Sequence, residues 1–172
     1  YPTDDGFIEK NNPDSTHGNN FYLNIYAYSN ISKWFSQPHI KFDIINSERT
    51  IKLAKIRLTM NKEQYNSEET LICDIHRIRE QWDAENLTWN NQPNYDITPL
   101  LRFMIPTYEG ESKTFYITGN EIKSLINSWN LENYGFKIIP LEEELQKYFY
   151  SKEGAQEAGN INYAPALILE YE

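Results

Sequence analysis

Two groups of acidic side chains have the type and spacing for acid–base chemistry. Glu142-Glu143-Glu144 puts three carboxylates in a row, and Asp83 and Glu85 lie between Trp82 and Trp89. Glycoside cleavage needs a pair of carboxylates at a set separation. The glutamate run falls between two strand-like stretches, where a solvated turn accounts for it. Nothing beside Asp83 and Glu85 marks a nucleophile or an oxyanion donor, so they receive no catalytic role. His17, His39 and His76 stand far apart, in no metal-ligand spacing. Gly-x-Ser-x-Gly, phosphate-loop and dinucleotide patterns are absent, and 7 glycines leave little material for phosphate loops. An enzyme built from these residues would need two converging carboxylates, or a Tyr or His with an Arg, at the base of a cleft.

Oxygen ligands are dense near the start of the chain. Asp4-Asp5-Gly6 is followed by Asp14, Ser15, Thr16, Asn19 and Asn20. Calcium takes roughly six to eight such oxygens, many of them from loops. The spacing is not that of an EF-hand, and a hydrogen-bonded turn accounts for it. The alternative is a calcium ion held through Asp5, Asp14 and Thr16.

Composition narrows the field. The chain has 172 residues, the size of one large domain, and Cys73 is its single cysteine. No internal disulfide can form, and a lone thiol in a β-rich stretch reads as a small buried apolar group. Lys and Arg total 16 against 25 Asp and Glu, a net charge of −9, which excludes a phosphate-neutralising nucleic-acid binder. No apolar run is long enough to insert in a bilayer. The opening Tyr1-Pro2-Thr3-Asp4-Asp5 has neither an initiator Met nor a signal-peptide pattern. This reads as a single domain, residues 1–172, cut from a larger secreted protein whose export signal lies elsewhere. Codon-driven richness in Asn, Ile, Lys and Tyr points to a bacterial source, so the sequons at Asn30 and Asn86 carry no weight.

Between polar turns the apolar period is two, the spacing of a half-buried strand. Phe21, Leu23, Ile25 and Ala27 alternate with Tyr22, Asn24 and Tyr26; Ile40, Phe42 and Ile44 alternate with Lys41 and Asp43. Leu53 to Met60, Leu71 to Ile78, Thr114 to Ile117, Gly135 to Ile139, Lys147 to Ser151 and Ala166 to Tyr171 read likewise. Turns are expected at Asn46 to Glu48, Asn61 to Glu68, Asn90 to Asn94 and Gly154 to Asn160. The result is an all-β, jelly-roll-like sandwich. One amphipathic helix interrupts it: Ile122, Leu125, Ile126 and Trp129 fall at helical spacing behind a capping-box pair, Thr118 and Glu121. That apolar stripe is expected to pack on the sandwich.

Several landmarks recur in a known order. Pro13-Asp14-Ser15-Thr16-His17-Gly18 precedes the strand Phe21 to Ala27, followed by Ile40 to Ile44 and Leu53 to Leu58. Trp82-Asp83-Ala84-Glu85-Asn86-Leu87-Thr88-Trp89-Asn90-Asn91-Gln92-Pro93 comes before the helix ending in Trp129. Asn133-Tyr134-Gly135-Phe136, Phe149 to Gly154 and Ala164-Pro165-Ala166-Leu167 close the series. The order and spacing resemble the DNRLRE domain, also classed as carbohydrate-binding module family 96, from about Asp5 to Tyr171. Two positions depart: Thr16 stands where the family tends to carry Asn, and Ala84 where it carries an acidic residue. The resemblance implies a β-sandwich that serves as an accessory module in extracellular proteins, with some members binding acidic polysaccharides such as alginate. Trp82, Trp89 and Trp129 match its framework and are expected in the core.

The expected function is therefore non-catalytic polysaccharide binding, on a secreted or cell-surface protein that carries other domains. Sugar rings stack on exposed aromatics, and Trp34, in the polar stretch Ser32 to Ser36, is the first candidate, with Tyr134, Tyr148 and Tyr150 behind it. For an acidic polymer, Arg77 and Arg79 alternate with Ile78 and would share a sheet face, with Lys41 beside them if its strand is adjacent. The alternative is a structural or adhesive spacer, or a wall-associated module, with no small-ligand site.

Overall fold

The computed structural model describes residues 1–28, 34–43, 49–129 and 133–172. Ile44, the turn at Asn46 to Glu48, the sequon at Asn30 and the Ser32-Lys33 part of the Trp34 stretch lie outside the described residues. The strands are β1 (Pro2–Glu9), β2 (Tyr22–Tyr28), β3 (Trp34–Phe42), β4 (Ile51–Thr59) and β5 (Leu71–Arg77). After them come β6 (Leu101–Ile105), β7 (Thr114–Thr118), β8 (Phe136–Pro140), β9 (Leu145–Tyr150) and β10 (Ala166–Tyr171). Helix α1 (Asn120–Ser128) follows β7, and α2 (Lys152–Glu157) follows β9.

Seven strands form an antiparallel sheet in the order β6-β5-β8-β3-β2-β9, with β1 added along β3; three more pair as β10-β4-β7. The alternation seen in the sequence decides which side chains lie between the sheets. Leu23 and Ile25 of β2, Ile40 and Phe42 of β3 and Phe149 of β9 meet Ala54, Ile56 and Leu58 of β4 in one buried cluster. Each such side chain contributes about 1.5–3 kcal/mol on leaving water. Cys73 is free and buried there, and burial pushes its thiol well above its ordinary pKa. The fold is an all-β sandwich, as the alternation requires.

α1 packs Ile122, Leu125, Ile126 and Trp129 into the same cluster, as expected of its stripe. The capping box does not form. Thr118 ends β7, paired with Lys55, and Gly119 takes the N-cap position with no side-chain cap.

Three elements escape the alternation pattern. β1 carries Asp4-Asp5-Gly6, a polar run that reads as a loop, yet it pairs with β3 from Pro2↔Phe42 to Glu9↔Ser36. Backbone pairing with β3 and the burial of Phe7 and Ile8 outweigh the unfavourable residue types. β6 alternates over only five residues and lies at the sheet edge, paired with β5. α2 occupies the start of the expected Gly154 to Asn160 turn, with the Ser151 hydroxyl accepting from Gly154 N at 3.0 Å as its cap.

A second small core lies on the far side of the seven-stranded sheet. The segment from Ile78 to Leu87 folds over β1, and Trp82, Ala84 and Leu87 pack on Ile8 and Ile78. Trp82 Nε1 donates to the Tyr134 carbonyl at 2.7 Å, and its ring meets His39 edge-on at 5.7 Å. Trp82 and Trp129 are thus buried, and Trp89 is partly buried against the second core. Among the described residues no helix is long and apolar enough to cross a membrane.

Candidate functional site

Outward side chains of β2 and β9, with their in-register partners at the start of β3, form a polar, aromatic surface. In-register partners share a face and successive residues alternate. Tyr28 pairs with Trp34, Tyr26 with Ser36, and Glu9 with Ser36 across β1. On the other side of β2, Tyr26 pairs with Gln146 and Asn24 with Tyr148. Glu9, Tyr26 and Gln146 therefore lie in one row, flanked by Trp34 with Tyr28 and by Asn24 with Tyr148. These side chains line a cleft of about 490 Å³, with Asn11, Asn12 and Glu144 completing its wall.

Trp34 is 43% exposed there, so one face of its ring is open to a ligand. It begins β3 and does not belong to a polar loop. Opposite it the floor is held by hydrogen bonds. Gln146 Nε2 donates to the Tyr148 hydroxyl at 2.5 Å and to Asn24 Oδ1 at 3.3 Å, while its Oε1 accepts from Tyr28 at 3.4 Å. The Tyr26 hydroxyl donates to Asn11 Oδ1 at 2.8 Å and lies 3.3 Å from Glu9 Oε1. Tyr22 supports Tyr148 edge-on, with ring centres 5.0 Å apart. Rings fixed in this way lose little conformational freedom when a ligand stacks on them.

The charge of the cleft is negative. Glu9 and Glu144 line it, and no Lys or Arg does among its described lining residues. His17 Nε2 lies 3.4 Å from Glu9 Oε2, but burial holds the imidazole below its ordinary pKa, so it adds no fixed cation. Burial first and then Glu9 raise the pKa of Tyr26; burial, Tyr22 and then Glu9 raise that of Tyr148. The phenols stay protonated near neutrality and serve as donors and acceptors. Aromatic faces, amides and hydroxyls in one concave surface can stack on sugar rings and hydrogen-bond their hydroxyls.

The structure brings Trp34 and Tyr148 together and places the other candidates elsewhere. Tyr134 is partly buried against Trp82, and Tyr150 lies buried and stacked on Tyr163 at 4.9 Å. Lys41 pairs with Asp4 at 3.7 Å. Arg79 makes a forked contact with Asp96 at 2.7 and 2.8 Å. Arg77 is in register with Phe136, which pairs with Ile40, so alternation sets Arg77 and Lys41 on opposite faces of the sheet. Lys41 does not join Arg77 and Arg79, because β8 separates β5 from β3.

The cation candidates are similarly dispersed. Asp5 is buried in β1, accepting from Lys152 N at 3.0 Å. Asp14 accepts from Asn90 Nδ2 at 2.8 Å, and Thr16 is exposed. Among the described residues no three His, Cys, Asp or Glu side chains gather as a metal site. Asp83 closes a turn by accepting from Asn86 N at 2.9 Å, and Glu85 is exposed beside it. Within the glutamate run, Glu142 accepts from Ile72 N at 2.8 Å, while Glu144 sits at a positive φ of 66° and lines the cleft.

Tyr26, Tyr28, Asn24 and Gln146 are cleft-lining positions that period-two reasoning passed over as the outward face of a strand. Their signal was the outward series itself: Tyr22, Asn24, Tyr26 and Tyr28 are all aromatic or amide side chains.

The family model of carbohydrate-binding module family 96 matches residues 1–163. The chain belongs to that family. No curated protein matches it. Membership makes it a carbohydrate-binding module, a class that binds sugars and does not cleave them. In this family-96 module the signature segment Trp82 to Pro93 is held by its own hydrogen bonds and supplies none of the described residues that line the cleft. Asn91 accepts from Thr88 N at 2.7 Å and donates to the Asn86 carbonyl at 2.7 Å, and Asn90 ties the same loop to Asp14. The cleft is lined instead by strand side chains, with Asn11, Asn12 and Glu144.

Proposed function

We propose that this module holds polysaccharide in the cleft of Trp34, Tyr26, Tyr28 and Tyr148, and that it takes a neutral polymer in preference to an acidic one. The observation that carries the reading is the half-exposed Trp34 ring beside Tyr28, above a floor of amides and hydroxyls. Glu9 and Glu144 set the preference. A uronate brought against two carboxylates meets like-charge repulsion, on the order of 1 kcal/mol per pair at contact distance even in water and more in a cleft. The acidic-polymer expectation drew on the family resemblance and on Arg77, Arg79 and Lys41, and none of these three basic residues lines the cleft.

A spacer gives no reason for an aromatic-lined cleft held by a hydrogen-bond network, which favours binding over the purely structural reading. A polysaccharide ligand puts the work of the module outside the cell, on a secreted or surface-held protein whose other domains act on or anchor to the same polymer.

Affinity gel electrophoresis through neutral and uronic-acid polysaccharides tests this. Retardation is expected in a neutral polymer and is expected to vanish in Trp34→Ala. Retardation by uronates alone, or by a neutral polymer equally in both proteins, would overturn the assignment.

A further inference from the structure

A second cleft adjoins the first and a third adjoins the second, each pair joined by shared wall residues. The second, about 860 Å³, is lined by Tyr65, Tyr108, Lys62 and Gln64 and shares Glu144 with the first. The third, about 500 Å³, is lined by Phe21, Tyr150 and Tyr163 and shares Lys62 and Gln64 with the second. Each cleft presents one ring to solvent: Trp34 at 43%, Tyr65 at 74% and Phe21 at 55% exposure. Tyr1 and Tyr116 are as exposed as these rings but line none of the three clefts; Trp34, Tyr65 and Phe21 combine exposure with a place in a cleft wall.

Electrostatic contacts confirm the adjacency. The Tyr28 phenol of the first cleft is raised above its ordinary pKa by burial and then by Tyr65 of the second. Tyr108 of the second is raised by burial, then by Glu111 and by Tyr150 of the third. The Tyr108 hydroxyl also lies 3.4 Å from the Lys62 carbonyl, on the wall between the second and third clefts. Phe21 precedes β2 and Tyr28, the partner of Trp34, ends it, so the Phe21 and Trp34 stations lie about 23 Å apart along an extended strand. That span is longer than a disaccharide. Among the described residues these walls carry Glu63, Glu68, Glu69, Glu109 and Glu157 against Lys62, so the whole path has the sign of the first cleft.

We infer that the three clefts form one continuous track that binds the interior of a polysaccharide chain over several sugar units, with Trp34, Tyr65 and Phe21 as successive stacking stations. This rests on the carbohydrate reading of the first cleft and adds the length and direction of the ligand. A module of this kind recognises chain interiors, and its affinity grows with the number of units that reach the outer stations.

The test is calorimetric titration with ladders of β-1,4-linked glucose, mannose and xylose oligomers, from disaccharide to decasaccharide. On the wild-type protein affinity is expected to climb with length. Tyr65→Ala and Phe21→Ala are each expected to weaken the decasaccharide by about two- to tenfold, the worth of one stacked ring, and to leave the disaccharide unchanged. Trp34→Ala is expected to weaken every length. All three rings are exposed, so unchanged thermal melting identifies folded variants. Affinity that stops rising at the disaccharide, or long oligomers indifferent to both outer variants, overturns the track while leaving the first cleft intact. Silence from every ladder overturns the neutral-polymer reading of the first cleft, and the track falls with it.

Discussion

A Cβ added to Gly18 would lie 2.2 Å from the Ala84 carbonyl oxygen and 2.4 Å from its carbonyl carbon. The loop after β1 and the loop after Trp82 therefore touch backbone to backbone. Asn90 N donates to the Pro13 carbonyl at 3.1 Å a short way off, extending the contact. Only glycine fits at this approach. Gly18→Ala is expected to lower stability by about 1–3 kcal/mol, since a methyl group must displace main chain and not a flexible side chain. Urea unfolding measures it; an unchanged midpoint would mean that the loop shifts freely.

In the cleft, Gln146 joins Tyr28, Tyr148 and Asn24 through one amide. Gln146→Leu leaves those partners unpaired without touching the Trp34 ring. Affinity for the neutral polymer is expected to fall about tenfold or more, because losing one partner of a polar cluster costs about 1–3 kcal/mol. Titration against the retained polymer reads this loss.

Asp5 titrates abnormally. Burial, and then Glu153 beside it, raise its pKa from 3.8 to about 7. Between those values the folded chain keeps a proton that the unfolded chain releases, so this contribution to stability is full below about pH 4 and is lost as pH rises to 7. Asp5→Asn keeps an oxygen for Lys152 N and removes the titration. The variant is expected to melt higher than wild type at pH 8, by an amount on the order of 2–4 kcal/mol, with the gap closing toward pH 4. Melting curves across that range decide it; a gap constant with pH would assign the effect to packing.

Lys137 has the opposite sign. Its ammonium donates to Gln92 Oε1 at 2.7 Å and lies 4.0 Å over the Tyr95 ring, and burial lowers its pKa from 10.5 to about 7. From pH 7 to 10 the unfolded chain holds a proton that the folded chain lacks, so stability rises with pH through that window. Lys137→Met is expected to flatten the rise, leaving the slope that Lys147 supplies with its pKa lowered to about 8. Denaturant titrations at pH 7 and pH 10 compare the two proteins.

Much of the fold was legible because strand alternation is a local property. The inward set of β2, Leu23 and Ile25, is decided by its own residues, and the sheets had to close over such sets. The stripe on α1 was readable for the same reason. β1 was not, since Asp4-Asp5-Gly6 becomes a strand only by pairing along β3. Its hydrogen bonds come from a partner that the local sequence does not name.

The site divides in the same way. By itself the sequence nominated Trp34, with Tyr134, Tyr148 and Tyr150 behind it, as rings for a ligand, and set a family framework of tryptophans in the core. Which residues share a surface was decided by the order of strands. β2 lies between β3 and β9, which brings Trp34, Tyr28, Gln146 and Tyr148 to one face. β8 lies between β3 and β5, which parts Lys41 from Arg77. Strand order follows from the free energy of closing the whole sandwich, a sum over distant contacts that no single stretch of chain contains.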